Sequence, residues 1–248
     1  MSSHDDGNGV PDQATAMIQE LRSALRKSAE REEKLQSKIA LRDEQIEELT
    51  KRIGKDPLTD LGNRYALGEK FRELARFSPD SLVTLILIDV NKFKSINDTY
   101  GHTAGDAVLV RIATILKEEA RPSDTIYRYG GDEIVIVGEA RHARTLADID
   151  IEKFLEAVAR FPQAVKSFGW DSLNCWGEGV RVPGISISLG VTADVYSQVH
   201  EAYSEESAKA FLKKMIAKAD EKMYLAKHSG KDFAASTVIE KALADPKK

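Results

Sequence analysis

Between residues 13 and 53 apolar side chains return every three and four positions, with no proline or glycine to interrupt them. With Ile18 at heptad position a, the a positions are Ile18, Leu25, Glu32, Ile39, Ile46 and Ile53, and the d positions are Leu21, Ser28, Leu35, Arg42 and Leu49. Eight of these eleven are apolar, a seam sustained over five heptads, which predicts a coiled coil over a surface helix. Ile at a with Leu at d in the second half favours a parallel homodimer. Lys38 at g would then face Asp43 at e of the second helix. Glu32, Ser28 and Arg42 weaken the middle, and the alternative is a solvated helix folded back on the rest of the chain.

Gly54 and Pro57 break that helix, and the periodicity changes beyond them. Residues 64–77 read as a helix and 81–89 as a buried strand ending in Asp89. A short helix and a loop follow over "NKFKSINDTYGHTAGD", then a helix over about 105–120. "TIYRY" and "EIVIV" are short strands around Gly130-Gly131, a pair that signals a two-residue hairpin turn. A helix over 149–168, a strand over 184–192 and a helix over 207–230 stopped by Gly230 complete the pattern, with "DFAAST" as a last edge strand. The expected fold is α/β: a mainly antiparallel central sheet flanked by helices and preceded by the coiled-coil helix. The expected organisation is a disordered stretch 1–12, a dimerising helix 13–54, a globular domain 55–240 and a flexible tail 241–248. The connection over 161–181 is long, holds both tryptophans and Cys175, and has no assignable role.

Composition narrows the function. A net charge of −4 without a basic stripe argues against a nucleic-acid partner. The single cysteine, Cys175, forbids an internal disulfide and suits a reducing compartment. The polar, acidic start is unlike a signal peptide, and no apolar run is long enough for a membrane span, so a cytoplasmic location is expected.

The chemistry is suggested by carboxylates in places where structure does not ask for them. Asp132 and Glu133 directly follow the two glycines, although carboxylates are poor strand formers. Asp89 ends the most apolar strand, where a charge is costly unless paired or bound to a metal. If the two strands are neighbours, Asp89 and Asp132 share one end of the sheet. Two carboxylates without nearby Cys or His suit a hard cation, Mg²⁺ or Mn²⁺, and Mg²⁺ commonly bridges carboxylates to substrate phosphates. The structural alternative is that Asp89 caps a helix beginning near Asn91.

The longer string "RYGGDEIVIV" resembles the signature of GGDEF-type diguanylate cyclases, with Ile134 in place of the usual Phe. Further similar motifs stand in the family's order: "DPLTDLGNR" at 56–64, "IDVNKFKSINDTYGHTAGD" at 88–106, "RPSD" at 121–124, "SISLGV" at 186–191 and "ADEKMYLAKHSGKD" at 219–232. The resemblance covers about residues 56–235 and implies condensation of two GTP into cyclic di-GMP with release of two pyrophosphates. It implies that Asp89, Asp132 and the Val90 carbonyl hold Mg²⁺, with Glu133 in the same metal and catalytic cluster. It implies that Lys94 touches the phosphates beside Gly130 and Gly131, Asn97 and Asp106 read the guanine edge, and Lys227 and Lys231 neutralise the β- and γ-phosphates. It also implies that Arg121 and Asp124 form an inhibitory site for the product. Chemically, a carboxylate at Asp106 can accept from guanine N1–H and N2–H₂, a donor pair adenine lacks.

Each residue also has a local structural reading. Lys94 suits a solvated helix, Asn97 and Asp98 a turn, and Asp106 the cap of the following helix. Lys227 and Lys231 suit a helix C-terminus, and Arg121 with Asp124 a surface pair. The chain departs from the family at Asn91, where a second Asp is frequent, and at Lys231, which keeps the charge of an Arg but loses its bidentate fork. Two other functions compete: a catalytically weak domain that binds cyclic di-GMP or GTP as an effector, and a cyclase that makes an adenine-containing dinucleotide.

Overall fold

The structure is a computed structural model. It describes residues 11–140, 143, 145, 148–176, 184–198 and 202–235. The stretch 1–12 expected to be disordered and the tail 241–248 fall wholly or largely outside those residues, as does the end of the 161–181 connection.

The chain divides into two compact units, Met1–Arg52 and Ile53–Lys248. The described residues of the first form a single helix, α1 (Pro11–Ile53). At about 1.5 Å per residue it is roughly 65 Å long. Every apolar seam residue named above keeps half or more of its surface exposed within one chain.

The second unit has three layers. Its strands are β1 (Leu82–Val90), β2 (Thr125–Gly130), β3 (Glu133–Ala140), β4 (Ile187–Val195) and β5 (Phe233–Ala235). They lie in the order β2-β3-β1-β4-β5, antiparallel except for the β4–β5 edge. The most apolar strand, β1, is therefore the centre of the sheet, as its near-continuous Leu, Ile and Val run requires. The helices are α2 (Arg64–Phe77), α3 (Phe93–Tyr100), α4 (His102–Glu119), α5 (Ile151–Ser167) and α6 (Glu205–Ser229). Alternate β1 residues separate the two cores. Leu82, Ile86, Ile88 and Val90 pack with α3, α4 and α5, while Val83, Leu85 and Leu87 pack with α2 and α6. By this alternation Asp89 belongs to the α6 side.

Gly190 sets the spacing of one layer. A Cβ there would lie 1.8 Å from the Ala219 carbonyl oxygen and 2.6 Å from the Met223 nitrogen, so α6 rests directly on the β4 backbone. α6 is fixed at its start by a Ser204–Ser207 capping box and at its end by Gly230 at φ +69°. Among the described residues no helix is long and apolar enough to cross a membrane.

Some local details differ from the expectations. The hairpin tip is Gly131-Asp132, because Gly130 still pairs with Glu133 and ends β2 after a bulge. α3 starts at Phe93, behind Lys92 in the left-handed region, so Asp89 caps no helix. The first seven residues of the 161–181 connection continue α5, with Pro162 inside the helix.

Candidate active site

The strand register gathers the acidic residues. Asp89 on β1 lies directly opposite Glu133 on β3, and opposite Ser188 on β4. Residues opposite one another in a ladder project to the same face, so the Asp89 and Glu133 carboxylates share the α6 side. Asp132 occupies the turn immediately before Glu133. Gly131 adopts φ +52°, and a Cβ on either Gly130 or Gly131 would meet nothing within 4 Å. The glycines therefore leave open space over the turn, which a side chain would fill.

Lys227, in the last turn of α6, sends its Nζ to 2.7 Å from Asp89 Oδ1. Burial and the neighbouring Asp89 charge raise the Asp132 pKa, more than Lys227 and Arg128 lower it. Burial raises that of Glu133 too, with further contributions from Asp89, Asp132 and Asp220. Crowded carboxylates of this kind favour a cationic occupant, and the Lys227 ammonium stands at that position. Among the described residues no three His, Cys, Asp or Glu side chains close into a ready metal cage. The donors are nonetheless all oxygen, the set that suits Mg²⁺ or Mn²⁺, so the residues fit such an ion. Val90 ends β1 with its side chain in the core, leaving only its main chain for any ligand.

The other face of the sheet carries the second group. Lys94 and Asn97 are one turn apart on α3, with Lys94 exposed. Gly105 is what brings α3 and α4 together. A Cβ there would stand 1.9 Å from Asn97 Oδ1, so the Asn97 amide lies against the backbone beside Asp106. Asp106 is exposed inside α4 and does not cap it; that role falls to Gly101, without a side-chain bond. Asn97 and Asp98 are helical and form no turn. Lys231 is exposed just past the Gly230 cap, with its nitrogen donating to the Ala226 carbonyl.

Arg121 and Asp124 lie apart from this site. They precede β2, and the turn follows it, so about 17 Å of strand separates them. The Asp124 carboxylate accepts from the Arg121 backbone N–H at 3.1 Å, leaving the exposed guanidinium out of that bond. Burial pushes the Asp124 pKa up, against Arg121. A cavity of about 310 Å³ adjoins the pair, with Lys153 and Arg160 of α5 also in its wall.

One residue of the site escaped the sequence reading. Arg128 donates from Nε and Nη2 to the Gly131 carbonyl (2.9 and 2.8 Å) and from Nη1 to both Asp56 oxygens (3.2 Å each). Asp56 is itself held by the Thr59 N–H and hydroxyl at 2.9 and 2.7 Å. The "DPLTD" turn thus grips the hairpin tip. The available signal was a charged residue between Tyr127 and Tyr129 in a strand, but an exposed Arg in a strand is too ordinary to stand out.

The family model "Diguanylate cyclase, GGDEF domain" matches residues 53–167. The chain carries a GGDEF domain. The diguanylate cyclase DgcZ of Escherichia coli (strain K12) is 35% identical over 193 residues, covering 78% of this chain and 56% of that protein. The chain therefore spans just over half the length of that curated relative. Among solved structures, the coiled coil and GGDEF domain of DgcB from Caulobacter crescentus, in complex with c-di-GMP, superposes with TM-score 0.57 at 21% identity, covering 87% of this chain and 98% of that one. The diguanylate cyclase SiaD from Pseudomonas aeruginosa, in complex with its activator SiaC, superposes with TM-score 0.53 at 25% identity, covering 89% of this chain and 79% of that one. The GGDEF fold, with a long helix before it, thus has solved counterparts.

Proposed function

We propose that this chain is a diguanylate cyclase, condensing two GTP into cyclic di-GMP and two pyrophosphates as a homodimer. The observation that carries the reading is the register of β1 on β3, with Asp89 opposite Glu133, Asp132 in the adjoining turn and Lys227 2.7 Å from Asp89. That is a negative cluster with an ammonium beside it, under an open glycine turn, and a metal-bound triphosphate matches both charges.

Asp89, Asp132, Glu133 and the Val90 carbonyl would hold Mg²⁺ or Mn²⁺, which supplies charge neutralisation at a phosphate oxygen during in-line displacement. The chain's own residues do the rest by positioning and electrostatics. Lys94, Lys227 and Lys231 bind the phosphates, with Gly130 and Gly131 leaving room for them. Asn97 meets the guanine O6 or N7 edge while Asp106 accepts from N1–H and N2–H₂. Adenine would leave the Asp106 carboxylate without its partners, and such unpaired groups give selectivity. Glu133, in the same cluster, takes the proton of the attacking 3′-hydroxyl. Each unit holds one GTP, so two chains must meet. The exposed seam of α1 supports pairing through residues 13–53, and pairing raises the effective concentration of the two units for each other. Arg121 and Asp124, beside their cavity, bind the product guanine and lower turnover.

The test is product analysis. Purified protein with Mg²⁺ and GTP should yield cyclic di-GMP and pyrophosphate, and with ATP should yield no dinucleotide. Absence of any dinucleotide from either nucleotide sinks the reading.

A further inference from the structure

Residues 168–176, directly after α5, pack as a folded plug against the corner that carries Asn97 and Asp106. Trp170 and Trp176 are 5% and 8% exposed, unusual for residues of a long connection. Their ring nitrogens are both satisfied by main chain: Trp170 Nε1 donates to the Val165 carbonyl at 2.9 Å, and Trp176 Nε1 to the Trp170 carbonyl at 2.6 Å. The second tryptophan is thereby tied to the first, and the first to α5. At its outer end the Trp176 ring meets Tyr100 edge-on, with centroids 5.2 Å apart and planes at 84°. At its inner end Phe168 meets Trp170 edge-on, with centroids 4.9 Å apart, and lies under the Arg111 guanidinium at 4.2 Å. The plug therefore touches the last residue of α3, between Asn97 and Asp106 in the chain, and the third turn of α4, beyond Asp106. Tyr100 is one turn past Asn97 on the same helix face, and the Asn97 carbonyl accepts from Gly101 N–H at the helix end.

We propose that this plug sets the position of the nucleobase site, with Trp176 acting through Tyr100 as a positioning residue for Asn97. The proposal rests on the reading of Asn97 and Asp106 as guanine contacts. α3 has only eight residues, is preceded by a left-handed Lys92 without a side-chain cap, and ends in a glycine. A helix so short is marginal alone and depends on packing for its place. Ring contacts of this kind hold their partners more firmly than burial alone. A misplacement of a fraction of an ångström at a hydrogen-bonding site is felt in substrate affinity.

Two measurements decide it. In steady-state kinetics, Trp176→Ala should raise KM for GTP about tenfold while kcat stays within about twofold. The variant should also narrow the preference for GTP over 6-thio-GTP, in which sulfur replaces the O6 on the edge read by Asn97, and Trp176→Phe should restore most of both. Unchanged KM and unchanged preference in folded Trp176→Ala overturn the proposal. The second measurement uses the unaltered protein, so it stands even if the variant does not fold. Hydrogen exchange is followed on adding 3′-deoxy-GTP with Mg²⁺, a probe that cannot turn over because it lacks the attacking hydroxyl. Slower exchange in both 93–106 and 168–176 is expected. Protection of 93–106 alone overturns the plug's role and leaves the cyclase reading intact. Protection of neither segment overturns the guanine site beneath it, and the proposal with it.

Discussion

The side chains that matter most in this molecule are charged groups whose neighbours do not let them relax. Asp132 sits in the hairpin turn beside Asp89 and Glu133, and its raised pKa records burial and that crowding. Asp132→Ala should reduce cyclic di-GMP formation at least about 100-fold, with the circular dichroism spectrum unchanged; activity close to the native level would remove Asp132 from the site. Asp56 is the opposite case. Burial alone would raise its pKa, but the Thr59 hydrogen bonds and the Arg128 charge outweigh it, and the net shift is downward. A lowered carboxylate pKa stabilises the fold above the ordinary carboxylate range, and that stabilisation is lost as pH falls through the lowered value. Asp56→Asn should therefore cost about 1–2 kcal/mol at pH 7, with a deficit that shrinks below about pH 4. Urea denaturation at the two pH values checks this, and an equal deficit at both would refute it. Asp89, Asp132 and Glu133 were legible in the sequence because a carboxylate after a glycine turn or at the end of an apolar strand conflicts with its local role. Arg128 was not, because its meaning lies in partners seventy-two and three residues away, Asp56 and Gly131, which only the folded hairpin brings together.

At the scale of elements, periodicity located nearly every helix and strand, and the errors fell where glycine or a left-handed residue decides the boundary. The turn tip moved by one residue because Gly130 pairs across the bulge and only Gly131 needs positive φ. α4 begins at His102, earlier than its apolar spacing suggests, since its first turn packs through small residues, Ala104 and Gly105. The contact of α6 with β4 could not be read at all, because Gly190 reveals its purpose only through what a Cβ would strike. Gly190→Ala should push α6 away from the sheet and cost about 1–3 kcal/mol, as overpacking of tight interiors does. It should also weaken GTP binding, because Lys227 rides on α6. A denaturation midpoint equal to that of the native chain would show that the helix yields freely.

For the whole molecule, the chain separates into a helix without a core and a globular unit that buries its own. On the dimer reading, residues 53–248 alone should fold but lose about tenfold or more in specific activity at micromolar concentration, and recover as the protein is concentrated. Activity independent of both truncation and dilution would separate α1 from catalysis. The seam was plain in the heptads, and within one chain it stays exposed. On the dimer reading its exposure has a consequence for dose. If a row of Ile and Leu stays wet until a second copy arrives, the paired form grows with the square of chain abundance wherever most chains are unpaired. Halving expression then quarters the signal, and a modest change in synthesis or proteolysis acts as a sharper control than any change in turnover number.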